Sequence, residues 1–280
     1  MVEKLDEIKQ IIAEAEAILI TVGAGMGVDS GLPDFRGKEG FWKAYPIAQK
    51  LNLSFHELAN PKWFYINPKL AWAFYGHRYN LYKNTIPHDG FKMLLDLVKS
   101  KNDNYFIFTS NVDGQFQKAN FDKQKIIECH GSINNFQCLY NCSKNIWESN
   151  IEKIDIEEEE FVAIDTPTCP KCKEIARPNI LMFGDCDWNA LITLNQETRY
   201  TKWKRENKGK KLLIIELGAG TAISTVRRES ENVAKNYNGK LIRINPRDFQ
   251  VDPNYGYSIP FGAVDGIKSI LDFKSKKVEL

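Results

Sequence analysis

The stretch Leu19-Ile-Thr-Val-Gly-Ala-Gly-Met-Gly-Val-Asp-Ser-Gly-Leu-Pro-Asp-Phe-Arg-Gly37 decides how the rest of the chain is read. Apolar residues from Ala17 to Val22 predict a buried strand, and glycines at 23, 25 and 27 follow it. Where a strand ends on glycines, backbone amides can approach a pyrophosphate with no Cβ in the way, so the stretch points to a nucleotide. An ordinary dinucleotide-binding unit would continue into a full helix, a second strand and an acidic residue about 20 positions on. Here Pro33 cuts the helix short and delivers Asp34, Phe35 and Arg36 on a loop beside the phosphates. A carboxylate, an aromatic ring and a guanidinium in that place suit reaction at the ribose rather than hydride transfer.

Outward from this stretch the pattern alternates. Residues 4 to 16 have helical spacing ahead of the first strand, with no apolar signal core. From Gly40 to Lys83 the chain is rich in aromatic residues and punctuated by Asn60-Pro61 and Asn67-Pro68, which predicts several short helices and a longer one over 68–83. A helix over 88–100 leads to a strand at Tyr105 to Thr109 and the cluster Ser110-Asn111-Val112-Asp113. A strand from Lys125 to Glu128 ends at Cys129-His130-Gly131-Ser132. Strands at Ile180 to Phe183, Leu212 to Leu217 and Lys240 to Ile244 are expected to complete the main sheet, with helices near 187–206, 222–237 and 262–273. The fold class is therefore α/β, a doubly wound, mostly parallel, Rossmann-like sheet, and its strand ends are where such sheets place ligands.

The six cysteines include two spaced pairs, Cys138/Cys142 and Cys169/Cys172, which suit four thiolates around one structural zinc. Cys129 and Cys186 fall outside the pattern and read as incidental thiols. No apolar run approaches the roughly 20 residues that span a bilayer. A reducing, cytoplasmic setting is therefore expected, in which metal binding is a better default for the thiols than disulfides. A net charge of +2 and an acidic run, Glu157 to Glu160, inside the ribbon argue against nucleic acid as a partner. The basic cluster Lys202 to Lys211 reads as a solvated connection.

In order, the glycine loop, the helical insert, Asn111-Val112-Asp113, His130-Gly131, the cysteine pairs, Arg177-Pro178 to Phe183-Gly184-Asp185, Gly218-Ala-Gly220-Thr221 and Ile244-Asn245 span essentially the whole chain. In this order the sequence resembles the sirtuin family of NAD-consuming protein deacylases. The resemblance implies removal of acyl groups from protein lysines, with nicotinamide and O-acyl-ADP-ribose as products. It implies His130 as general base on the ribose hydroxyls and Asn111 as the residue that orients the ribose. Asp113 and the Val112 backbone would hold the nicotinamide carboxamide, and Phe35 would cover the reactive face. Gly23, Ala24, Gly25, Asp34, Arg36 and Ser110 would line the NAD site, with Gly218, Gly220, Thr221 and Asn245 on its adenosine side. Phe183 and Gly184 would pair with an acyl-lysine peptide as an added strand.

Tyr75 and Arg78 are three apart and so share one helix face. A Tyr-x-x-Arg in this position resembles the sirtuin subclass that prefers acidic acyl groups, where a guanidinium can pair with a succinyl-type carboxylate. The chain departs from the family at Gly27, Ser110 and Phe116, where serine, glutamine and histidine are usual. The departures at Gly27 and Ser110, close to the ribose and phosphate contacts, leave room for ADP-ribosyl transfer to a protein, for NAD hydrolysis, or for NAD or ADP-ribose sensing without turnover. The expected division is an NAD-binding domain from 1–38, 84–136 and 178–280, an inserted helical module over 39–83 and a zinc ribbon over 137–177.

Overall fold

The computed structural model describes residues 2–33 and 37–271. Asp34, Phe35 and Arg36, singled out above, lie outside the described residues. The strands in chain order are β1 (Ala17–Val22), β2 (Tyr105–Thr109), β3 (Ile126–Glu128), β4 (Gly131–Cys138), β5 (Ile146–Glu148), β6 (Ile156–Glu157), β7 (Val162–Ala163), β8 (Ala176–Ile180), β9 (Leu212–Leu217), β10 (Lys240–Ile244) and β11 (Gly256–Ile259). Six of them form one sheet in the order β11-β10-β9-β1-β2-β3, with every neighbouring pair parallel. The order reverses between β1 and β9. At such a switch point the loops leaving the two strands diverge to opposite faces and open a crevice.

Alternation along β1 builds the layers. Ile18, Ile20 and Val22 pack with Ile8, Ile12, Phe91, Leu94, Val98 and Ile267 from the helices Val2–Glu14, Asp89–Ser100 and Ala263–Leu271. Ala17 and Leu19 face the other way, onto Tyr200, Val226 and Val233 of the helices Leu191–Glu206 and Thr225–Asn236. Thr21, on that second face, is also fully buried, and its hydroxyl meets Ser230 Oγ at 2.8 Å. A strand covered on both faces reads as a continuous apolar run, as β1 does.

A second core lies beside the sheet and is mostly aromatic. Phe41, Tyr45, Phe64, Trp72, Phe74 and Tyr79 from the helical stretch share it with Phe136, Leu139, Ile154 and Ala163 from the region around the cysteines. The long helix here, Pro68–Asn84, starts with the Asn67 side chain accepting from Leu70 N–H at 3.1 Å and Pro68 in its first turn. Trp72 Nε1 donates to the Ala176 carbonyl (2.9 Å), and Asn80 bonds Ile154 through both its carbonyl and N–H (2.7 and 2.9 Å). Helix and ribbon are thus tied along the helix's length.

One expected strand is corrected. Ile180 to Phe183 does not rejoin the main sheet; the strand is β8, which ends at Ile180 and pairs antiparallel with β4 in a separate three-stranded sheet with β5. Arg177 and Asp185 form a fully buried ion pair that turns the chain back after β8. Beyond β8, Leu181 N–H donates to the His130 carbonyl (2.9 Å) and Phe183 N–H to that of Ala59 (3.0 Å). The sequence also does not anticipate β4 or β11. Gly131, Asn134 and Asn135 are poor strand formers, and β11 follows a stretch with Asp252, Pro253 and Asn254. No helix among the described residues is long and apolar enough to cross a membrane.

Candidate active site

The ends of β1 and β9 meet closely. Gly218 has φ +60, and a Cβ on it would lie 2.4 Å from Gly25 C and Met26 N; a Cβ on Gly25 would lie 2.7 Å from Gly218 Cα. Gly25 N–H donates to Gly218 O and Gly23 N–H to Leu217 O, each at 3.0 Å. Gly25 therefore serves the contact between two turns, and its amide is already engaged. Gly27 has an ordinary helical φ of −77. A Cβ there would come within 3.0 Å of the Leu32 side chain, so the serine usual in the family would press on a residue of the cavity wall.

Along these strand ends runs a cavity of ≈ 730 Å³, within the range of small-molecule and cofactor sites. Its wall includes Gly23, Ala24, Ser110, Asn111, Val112, Asp113 and His130, then Gly218, Gly220 and Thr221, and also Tyr75, Arg78 and Phe183. Six separate stretches of sequence thus converge on one space. Gly25, Gly184 and Asn245 stand outside the wall. Asn245 is fully buried and works from behind, donating to Ala219 O (2.9 Å) and accepting from the N–H groups of Arg247 and Asp248 (3.0 Å each).

Asn111 is held by two bonds, its N–H to Thr109 Oγ1 (3.0 Å) and its side-chain amide to Gly23 O (3.1 Å), which lock the end of β2 to the glycine loop. Asp113 Oδ1 accepts from Gln115 N–H at 3.0 Å, and burial pushes this carboxyl up to about 6. His130 sits in the turn between β3 and β4. Gly131 has φ +77, and a Cβ on it would fall 2.1 Å from Asn179 O, so only glycine allows β4 to leave that turn against β8. Burial lowers the His130 pKa below the ordinary 6.5, with the neighbouring Ser110 backbone opposing the shift. A neutral imidazole carries a lone pair on one ring nitrogen.

At the other side of the cavity Arg78 is buried among rings. Its guanidinium carbon lies 5.4–5.7 Å from the ring centroids of Phe55, Phe74, Tyr75 and Tyr82, and its Nε donates to Tyr82 Oη at 3.1 Å. Sequence reasoning missed Tyr82, although its place four residues after Arg78 on one helix was a usable signal. Phe55, His56 and Met182 were also missed. They lie on two other stretches, Phe55 with His56 and Met182 beyond β8, and His56 reaches the site by stacking on Phe183 (centroids 3.8 Å apart). Phe116, a departure from the family pattern, packs between Phe91 and Phe121 and does not line the cavity.

Apart from the cavity, the sulfurs of Cys138, Cys142, Cys169 and Cys172 all lie within 4.8 Å of one another, with Cys138–Cys172 and Cys142–Cys169 at 3.6 Å. A tetrahedron built on the usual Zn–S bond has sulfurs about 3.8 Å apart. The set fits a structural zinc that all four thiolates close off. Cys129 is partly buried, Cys186 is exposed, and neither joins the cluster.

The Sir2 family model matches residues 23–202. A protein of Aquifex aeolicus named NAD-dependent protein deacylase is 28% identical over 260 residues, 93% of this chain and 96% of its own. One of the same name from Leptospira interrogans is 30% identical over 229 residues, 80% of this chain and 79% of its own. Among solved structures, a Sir2 homologue in complex with NAD superposes with a TM-score of 0.72 at 23% identity, over 95% of this chain and 92% of that one. A structure described for the mechanism and regulation of Sir2 enzymes gives 0.69 at 21% identity, over 97% and 98%. At these identities the structural likeness speaks for the fold.

Proposed function

The chain belongs to the Sir2 family, and from that premise we propose that it is an NAD-dependent protein lysine deacylase whose reaction runs in the cavity at the β1/β9 switch point. The observation that carries the reading is the meeting of His130, Asn111 and Asp113 with the Gly23 and Gly218 turns on one side and Tyr75, Arg78 and Phe183 on the other. Bound NAD supplies a glycosidic bond that breaks as the acyl-lysine oxygen attacks the nicotinamide ribose and nicotinamide leaves. Asp113 and the Val112 backbone hold the nicotinamide amide, with Asp113 able to accept from an N–H donor because Gln115 takes only one of its oxygens. Asn111, fixed from two sides, orients the ribose. His130, neutral at physiological pH, takes a proton from a ribose hydroxyl so that the acyl group can be captured. The acyl-lysine reaches this point along Phe183, and the Gly218 to Thr221 turn receives the adenosine half. The zinc is structural and stands outside the chemistry.

Incubating the pure protein with NAD and acyl-lysine peptides is expected to release nicotinamide and O-acyl-ADP-ribose in equal amounts, and His130→Ala to remove O-acyl-ADP-ribose formation while the protein stays folded. Nicotinamide release that ignores the acyl peptide would replace the deacylase reading with hydrolysis or ADP-ribosyl transfer. For the acyl group, the burial of Arg78 in the cavity wall favours an acidic chain. Arg78→Met should lower kcat/KM for succinyl peptide by at least about tenfold with a smaller effect on acetyl peptide; equal losses on both would make Arg78 a packing cation.

A further inference from the structure

After Gly23 the glycine loop makes two tight helical turns, Ala24–Met26 and Val28–Ser30. One residue from outside the loop holds both. His88, which the reaction described above does not use, stands at the start of the helix Asp89–Ser100, where its Nδ1 accepts from Gly90 N–H at 3.0 Å. A ring nitrogen that accepts carries no proton. The proton of the neutral ring is therefore on Nε2, which donates to the Met26 carbonyl at 2.9 Å. The backbone N–H of His88 donates to Ser30 Oγ at 3.1 Å. The same residue thus caps a helix and ties down both turns of the loop.

Capping alone does not call for an imidazole, since the short side chains of serine, threonine, asparagine and aspartate are the usual N-caps. What the longer ring adds is reach, from the start of the helix to the Met26 carbonyl. The ring is also closely seated. Its centroid is 4.8 Å from that of Phe91, and a Cβ on Gly90 would fall 2.6 Å from its Cε1, so glycine at 90 makes room for it. Two further ties flank this one: Gly25 N–H on Gly218 O, and Asp29 Oδ2 accepting from Val264 N–H at 2.8 Å. Ala24 and Leu32, before and after the segment so held, line the cavity, whereas Met26, Ser30 and His88 do not. We propose that His88 is a positioning residue for NAD: through Met26 and Ser30 it sets the cavity wall at Ala24 and Leu32 that receives the pyrophosphate half. The inference rests on the deacylase reading only in that NAD occupies this cavity.

His88→Asn separates the two tasks of the residue. Asparagine is a good N-cap, so the helix keeps its start, but a side chain that caps from this position is too short to reach Met26 as well. The variant is expected to melt close to wild type, with the KM for NAD and the Kd of ADP-ribose, by calorimetry, each raised about fivefold. The KM for acyl peptide should stay unchanged. His88→Ala should show the same rise in both constants together with a lower melting temperature, because the cap is lost too. Ser30→Ala removes only the second tie and leaves His88 in place; it should raise both constants about threefold, and serves if the His88 variants do not fold. Wild-type affinity for NAD and ADP-ribose in His88→Asn overturns the proposal, as does an equal rise in KM for NAD and for acyl peptide. Wild-type protein that binds ADP-ribose but forms no O-acyl-ADP-ribose would instead overturn the deacylase reading and leave the role of His88 standing.

Discussion

The buried acids of the framework and those of the site are treated differently. Glu216 in β9 is clamped by Arg243 in β10 through two bonds of 2.6 and 3.0 Å, with Glu231 on the same guanidinium at 2.8 Å. Asp185 is held by Arg177. Asp113 and Glu128, beside the cavity and behind it, have no ion pair among the described residues, and burial pushes them up to about 6 and about 7. Arg78 and Lys118 attract Asp113 only weakly by comparison with its desolvation. Framework charges are thus neutralised by partners, whereas site carboxyls are kept near their protonation point by burial. This is the distribution a catalytic site needs if its groups are to exchange hydrogen bonds with substrates.

The cysteine cluster extends the compensated class, since a zinc ion would neutralise four thiolates whose sulfurs lie within 4.8 Å of one another. Removing it should have the largest effect. The ribbon grips the helix Pro68–Asn84, which carries Tyr75 and Arg78, through Tyr79, Asn80 and Lys83. Chelation, or Cys169→Ser, is expected to lower the melting temperature and deacylation together, turnover falling by more than about tenfold. Full activity in protein shown by metal analysis to be zinc-free would separate ribbon from site.

Next in size, Arg243→Met should cost about 3–5 kcal/mol in urea unfolding, because Glu216 is left buried and unpaired. Asp113→Asn should cost no stability at pH 7.5, yet slow nicotinamide release. Equal destabilisation by the two changes would erase the distinction drawn between the regions.

The smallest effect concerns pH. A carboxyl whose folded pKa is raised binds its proton more tightly in the native state. Its contribution to stability is therefore best at low pH and declines as pH rises from the unfolded pKa through the folded one. For Asp113 that window runs from 3.8 to about 6, and for Glu128 from 4.5 to about 7. His77, His88 and His130, all lowered by burial, oppose this by losing stability as pH falls below 6.5. The difference between wild type and Asp113→Asn cancels the histidines, and should show wild type losing on the order of 2–3 kcal/mol between pH 4 and pH 7. A flat difference would mean that Asp113 is compensated after all.

Much of the site was legible because its chemistry is carried by short motifs. Asn111-Val112-Asp113, His130-Gly131 and the cysteine pairs each combine residue types with few other uses at that spacing, and each lies at a strand end or turn. Phe55 and His56 escaped because aromatic residues are plentiful throughout 41–82, so nothing local marks them as facing the cavity, whereas Tyr82 could have been found from its helical spacing to Arg78. The strand expected over Ile180 to Phe183 failed for a related reason. An apolar run shows that residues are buried, and the long-range bonds of Arg177, Leu181 and Phe183 decide against what.

By itself the sequence determined the parallel α/β sheet, through apolar runs whose alternation fills two helical layers, and the zinc ribbon, through thiol spacing. It determined which side chains could do chemistry. Only the tertiary structure decided that Gly25 serves the approach of Gly218, that helical insert and ribbon share one aromatic core, and which buried acids have a cation. Those outcomes depend on contacts between residues far apart in the chain, such as Gly25 with Gly218 and Gln196 with Glu128. Local propensity carries no record of such pairs; packing and desolvation select them when the strands and helices close on one another.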